Sequence, residues 1–171
     1  LLLKNLLIIK QKNNEDNRGN LRETFNNKIL KKKFIFEYCT TSKKNVFRGF
    51  HFQTKNTQSK YVNVLKGKIL DIVIDLRKNS KTFGKVFSIV LSKKNALGLF
   101  IPSGFAHAYY SYDNVFRINV GAMKKDGYMP NVSMEEPVSE AEQVDALASK
   151  IGLEDYRHEY EQGLDPETII F

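Results

Sequence analysis

The 171-residue chain has one cysteine, Cys39, three histidines and no long apolar run. A lone cysteine cannot close an internal disulfide, which points to a reducing compartment, the cytoplasm. The opening stretch Leu1–Ile9 is broken by Lys4 and Asn5. It falls far short of the ~20 apolar residues that span a bilayer and lacks the layout of an export signal, so it reads as a first strand. No strand–helix alternation runs along the chain, which disfavours Rossmann and TIM architectures, and no internal repeat is visible. Acidic residues are scarce in the first 121 positions, where 7 face 23 Lys and Arg. Residues 122–171 hold the other 12 and 4 of the chain's 19 and 27. The net charge of +8 suits a phosphate-bearing ligand. The lysines, however, form neither an aromatic-interleaved stripe nor a recognition helix, and this argues against nucleic acid.

With 42% hydrophobic and 27% charged residues, the chain has the composition of one ordinary globular domain. From Ile29 to Val120, short β-favouring runs are separated by Gly, Asn, Ser and Lys clusters, which predicts an all-β domain, a sandwich, jelly roll or small barrel. The runs 61–65 and 69–76 read as a hairpin joined through Gly67. In the second run Ile69, Asp71, Val73 and Asp75 alternate with Leu70, Ile72, Ile74 and Leu76, so both carboxylates share one face. Further strands are expected at 84–91, 97–101, 106–112 and 115–120, with Pro102-Ser103-Gly104 as a turn. Composition changes near Gly121, dividing a β-barrel at 1–121 from an acidic segment at 122–171. The second part carries a capping box at Ser139 and Glu142, helical spacing of Val144, Leu147 and Ile151, and a short helical stretch near 153–160, all expected to pack on the barrel.

Two histidines fall within the β region. In Arg48-Gly49-Phe50-His51-Phe52-Gln53, strand alternation places His51 and Gln53 on one face and the phenylalanines on the other. A metal-binding barrel of this kind needs a His-x-His pair, and Gln53 stands where the second ligand belongs, so no metal is expected. A neutral imidazole without a metal can still remove a proton from a carbon acid if a nearby cation stabilises the resulting charge on a ketone. Lys60 is the nearest downstream candidate, and Asp71 or Asp75 can orient the ring. The bland alternative is a structural strand histidine and a solvated lysine. His107 follows the Pro/Gly turn and faces either the same cavity or a backbone carbonyl. His158 lies in a charged stretch and reads as a surface residue.

Five ordered segments add a more specific signal: 16–25 (Asp-Asn-Arg-Gly-Asn-Leu-Arg-Glu-Thr-Phe), 48–53, 67–77, 80–84 and 101–107. Together they resemble the landmarks of the dTDP-4-dehydrorhamnose 3,5-epimerases, over roughly residues 15–120. The resemblance implies a cupin-type jelly roll, a homodimer, no metal or organic cofactor, and no membrane association. It further implies that His51 is the base beside the sugar ketone, that Lys60 stabilises the enolate, and that Arg48 and His107 hold the ligand and its diphosphate. Arg18, Glu23 and Phe25 are implied as nucleotide contacts, in part across the dimer, and Gln53 as a further substrate contact. The chain departs from the family at Ile118, which stands where a proton-donating Tyr is usual. Donation then passes to Tyr109, Tyr110, Tyr112 or water, or one carbon alone is epimerised. The family's Gln-x-Asn pattern is also absent around Glu37-Tyr38-Cys39-Thr40, and the acidic tail offers no clear match. A non-catalytic sugar-nucleotide-binding cupin is the alternative reading.

Overall fold

The computed structural model describes residues 3–30, 34–53 and 57–123. These contain eleven strands and one helical turn, and nine of the strands build a jelly roll of two facing sheets. The first sheet runs in the order β1 (Leu7–Lys10), β9 (Leu97–Ile101), β6 (Gln58–Lys66), β11 (Val115–Met123), β4 (Phe36–Ser42). The second runs β5 (Phe47–His51), β10 (Phe105–Ser111), β7 (Lys68–Asp75), β8 (Val86–Ser92). A small hairpin of β2 (Asn13–Asp16) and β3 (Gly19–Arg22), followed by α1 (Asn27–Leu30), lies outside both sheets. All described strand pairs are antiparallel.

The expected all-β reading holds, with strands 97–101 in place and the neighbouring ones shifted by one to three residues. The hairpin at Gly67 does not form. β6 pairs with β9 and β11, while β7 pairs with β8 and β10, so the one-residue link carries the chain from one sheet to the other. The reason is burial. From Ile69 onward β7 is covered on both faces, which an isolated hairpin cannot achieve. Gly67 has φ +81°, and a Cβ there would stand 2.8 Å from the Asn114 carbonyl oxygen, so the crossing needs glycine. Ala122 and Met123 complete β11, so the compositional change at Gly121 falls inside a strand. The expected C-terminal helices and His158 lie outside the described residues.

The space between the sheets has two unlike halves. Near β1, β8 and β9 it is filled by Leu6, Val62, Leu91, Leu99 and Ile101, all essentially inaccessible. Toward β4 and β5 the inner surface turns polar, with His51, His107, Asp71, Arg117 and Asn119 in place of aliphatic side chains. The outer face of the second sheet carries its own apolar layer of Phe50, Leu70, Ile72, Ile74, Ala106, Ala108 and Tyr110. That of the first sheet carries Leu30, Tyr61, Phe100 and Val120, with Phe25, Phe34 and Ile118 packed against them.

The second carboxylate of β7 serves the fold. Asp75 is fully buried and receives hydrogen bonds from Arg77 (2.7 and 2.8 Å), Ser80 Oγ (2.6 Å) and Thr82 Oγ1 (2.6 Å). Burial opposes its ionisation, but these donors together outweigh burial and hold the carboxyl well below the usual carboxylate range. The depressed folded-state value makes this contribution complete above about pH 4, the unfolded reference, and it is lost as the pH falls below that. Asp75→Asn is therefore expected to cost about 3 kcal/mol near neutrality. Its deficit relative to the parent should shrink on acidification below about pH 4, as read by urea melts across pH.

Candidate active site

Strand register brings the two histidines together. His51 on β5 is the direct cross-strand partner of His107 on β10, which in turn pairs with Val73 on β7. Their Cβ atoms therefore leave the sheet on the same side, toward the polar half of the interior. Two residues further along β10, Tyr109 lies opposite Asp71 on the same face. A register irregularity falls between His107 and Tyr109. Arg48 and His51 consequently both oppose inward positions, while Phe50 joins the outer apolar layer.

Asp71, with no exposed surface, places both carboxylate oxygens 2.9 Å from His107 Nε2. The partner that strand alternation offered to His51 is thus bound to His107 instead, and Asp75 is held by Arg77, Ser80 and Thr82. Burial pushes the His107 proton affinity down, partly countered by Asp71 and reinforced by the positive charges of Arg117 and Lys60. His107 is accordingly neutral near pH 7, its Nε2–H donating to Asp71 and its Nδ1 left as the acceptor. Lys60, half-buried, stands on β6 opposite Ile101 and Gly121 and is close enough to act on His107.

The remaining residues named from the sequence divide clearly. Arg48 is exposed at the rim, where Nη2 donates to the Thr41 carbonyl (3.3 Å). Gln53 is half-buried two residues beyond the end of β5. Three others are not brought to this interior within one chain. Arg18 is exposed on the β2–β3 hairpin and paired with Asp16 (2.6 Å). Glu23 accepts a bond from Asn26 Nδ2 (2.9 Å). Phe25 packs edge-on against Phe34 with ring centres 4.9 Å apart, on the outer face of the first sheet.

β11 changes the reading of the departure at Ile118. Ile118 and Val120 point to the outer apolar layer, and the inward positions are Arg117, Asn119 and Gly121. Ile118 is outward-facing packing. Of the tyrosines considered as donors, Tyr109 faces the interior, with its hydroxyl 2.7 Å from Ser42 Oγ. Tyr110 lies in the outer layer and donates to Asn45 (3.0 Å), and Tyr112 packs against that same layer. Arg117 and Asn119 were missed although the signal was available: apolar Phe116, Ile118 and Val120 alternate with Arg117 and Asn119, the pattern of a strand with one polar face.

A jelly roll whose interior is apolar at one end and lined by histidines, a carboxylate and cations at the other is a cupin-type barrel with a polar inner face. The sequence profile of the dTDP-4-dehydrorhamnose 3,5-epimerase family matches residues 1–134, and the chain belongs to that family. It is 38% identical over 118 residues to the dTDP-4-dehydrorhamnose 3,5-epimerase of Methanothermobacter thermautotrophicus, covering 66% of this chain and 64% of that one. It is 39% identical over 111 residues to the Salmonella typhimurium enzyme of the same name, covering 61% of each. The matched part thus spans less than two thirds of the length of these curated relatives. Among solved structures, the dTDP-6-deoxy-D-glucose-3,5-epimerase of Legionella pneumophila in complex with dTDP-4-keto-L-rhamnose superposes with a TM-score of 0.67. It is 34% identical and covers 73% of this chain and 69% of that chain.

Proposed function

We propose that this chain is an epimerase of a nucleotide-linked 4-keto-6-deoxyhexose, working by proton abstraction beside the ketone. The observation that carries the reading is the His51–His107 cross-strand pair on the inner face, with Lys60 beside it. In this mechanism neutral His51 removes the proton from the carbon next to the ketone. The C–H electron pair becomes a C=C bond, and the carbonyl π pair moves onto oxygen, where Lys60 offsets the new charge. Delivery of a proton from water to the opposite face restores the ketone with the carbon inverted, and His51 releases the removed proton to solvent. The Asp71–His107 pair positions the ligand with a fixed neutral imidazole, and Arg48 at the rim meets the diphosphate. Gln53, beyond the end of β5, contacts the sugar.

Arg18, Glu23 and Phe25 lie outside the interior of their own barrel, which supports a homodimer in which they serve the nucleotide of the other subunit. Exposed Leu7 and Ile8 on β1 and Leu21 on β3 supply apolar surface for such a contact. The single cysteine supports the cytoplasm, and no helix among the described residues is long and apolar enough to cross a membrane.

The test is solvent exchange. In heavy water the protein is expected to introduce deuterium at carbon 3, carbon 5 or both of dTDP-4-keto-L-rhamnose. One observation favours a second reading, a binding module: β11 presents Arg117 and Asn119 inward and neither is a ready proton donor. Tight calorimetric binding with no isotope uptake at either carbon would decide for that module.

A further inference from the structure

Arg117 on the inner face of β11 forms no ion pair among the described residues. Lys60 and Arg117 both act on His107, and the nearby carboxylate, Asp71, has both oxygens engaged by that imidazole. Arg117 is only 7% exposed. Its Nε donates to Thr40 Oγ1 (2.9 Å), and its guanidinium lies 3.7 Å above the Tyr109 ring centre, two residues along β10 from His107. Neither a hydroxyl nor a ring face cancels a formal charge. Nη1 of Arg117 is buried and without a hydrogen-bond partner among the described residues. Two residues along the same face, Asn119 is 1% exposed, and its Nδ2 and Oδ1 are likewise unpartnered.

Buried polar atoms are normally satisfied, and buried cations are normally paired. Unsatisfied donors on two successive inward positions of one strand, beside a histidine–carboxylate pair, therefore describe a cradle for an oxygen that carries negative charge. A sugar hydroxyl would satisfy the hydrogen bonds but leave the guanidinium uncompensated. An oxyanion satisfies both.

We propose that Arg117, with Asn119 beside it, is a second oxyanion site for the ketone oxygen of the sugar as it becomes an enolate, facing the cross-strand His51–His107 pair from the opposite sheet. This role rests on the epimerase reading above. When His51 takes the carbon-bound proton, the pair that moves onto the ketone oxygen meets Nη1 of Arg117 as well as Lys60. When the proton returns, the oxygen loses that charge and the contact weakens. The interaction is thus stronger in the transition state than with bound substrate, the condition for accelerating the chemical step. It also accounts for an arginine in the interior: its charge is matched during the reaction.

The experiment compares the parent with Arg117→Met and Arg117→Lys. Deuterium exchange into dTDP-4-keto-L-rhamnose is read against affinity for dTDP-L-rhamnose, which lacks the ketone. Arg117→Met is expected to lower kcat for exchange by roughly 100-fold or more, with affinity for the ketone-free sugar changed less than about threefold. Arg117→Lys keeps the charge and should retain exchange within about tenfold of the parent. Millimolar guanidinium is expected to restore part of the exchange lost in Arg117→Ala, a rescue that a packing role would not give. A folded Arg117→Met that exchanges within threefold of the parent overturns the proposal, as does an equal loss of affinity for the ketone-free sugar. If Arg117→Met does not fold, Arg117→Lys and the rescue decide: an Arg117→Lys without exchange, or an Arg117→Ala that guanidinium leaves unchanged, overturns it. A parent that exchanges neither carbon overturns the epimerase reading itself, an outcome distinct from an active parent with an active variant.

Discussion

His51→Asn is expected to lower deuterium exchange at the sugar by roughly 1,000-fold or more, because asparagine cannot accept a carbon-bound proton. The fold should be nearly indifferent. His51 is half-buried at the last position of β5, and asparagine keeps a polar side chain of smaller volume there. Melting within a few degrees of the parent, together with undiminished binding of dTDP, would separate loss of the base from loss of structure. His107 makes the contrast instructive. It is 3% exposed and held by a fully buried carboxylate, so replacing it leaves Asp71 without its donor and damages stability as well as binding. Exchange retained by a folded His51→Asn variant would assign the base elsewhere and remove the central step of the mechanism.

Gly49→Ala is expected to destabilise the protein by about 3 kcal/mol or more, a fall in Tm of roughly 10 °C. Gly49 lies in the register irregularity that lets Arg48 and His51 both oppose inward positions of β10, with φ at +127°. A Cβ there would stand 2.5 Å from the Ala108 Cβ, 2.7 Å from its Cα and 2.8 Å from the His107 carbonyl oxygen. The obstruction is backbone of a strand flanked by β5 and β7, so no rotamer change relieves it. β5 is the edge strand and must be the one to move, taking His51 out of register with His107. Thermal melts and the exchange assay should therefore fail together, unlike the His51→Asn case. A Gly49→Ala protein that melts like the parent would mean that β5 is not seated against β10 in this way.

Much of this arrangement was legible in advance where it depends on neighbours along the chain. Alternation within 69–76 placed Asp71 on the face opposite Leu70, Ile72 and Ile74, and the structure keeps that division. Alternation around His51 likewise separated it from Phe50. The ordered motifs carried the family resemblance, and the family profile spans them. What failed was pairing across distance. The 61–65 and 69–76 runs look like a hairpin because a single Gly separates their flanks, yet each strand finds its ladder partners 12 to 65 residues away. Ile118 drew attention as a lost donor, whereas its neighbours on either side are the residues that face the interior.

The sequence by itself determined the β character of the stretch from Ile29 to Val120, apart from Ile29 and Leu30, which close α1, and the two faces of the 69–76 run, because a strand's alternation is local and set by its own backbone. Tertiary structure decided which sheet each strand joins, that Asp71 bonds to His107, and that Arg117 reaches Tyr109 from the opposite sheet. Those two side-chain contacts join residues 36 and 8 positions apart. No local rule contains them, since they arise only when both apolar faces of the second sheet must be covered at once.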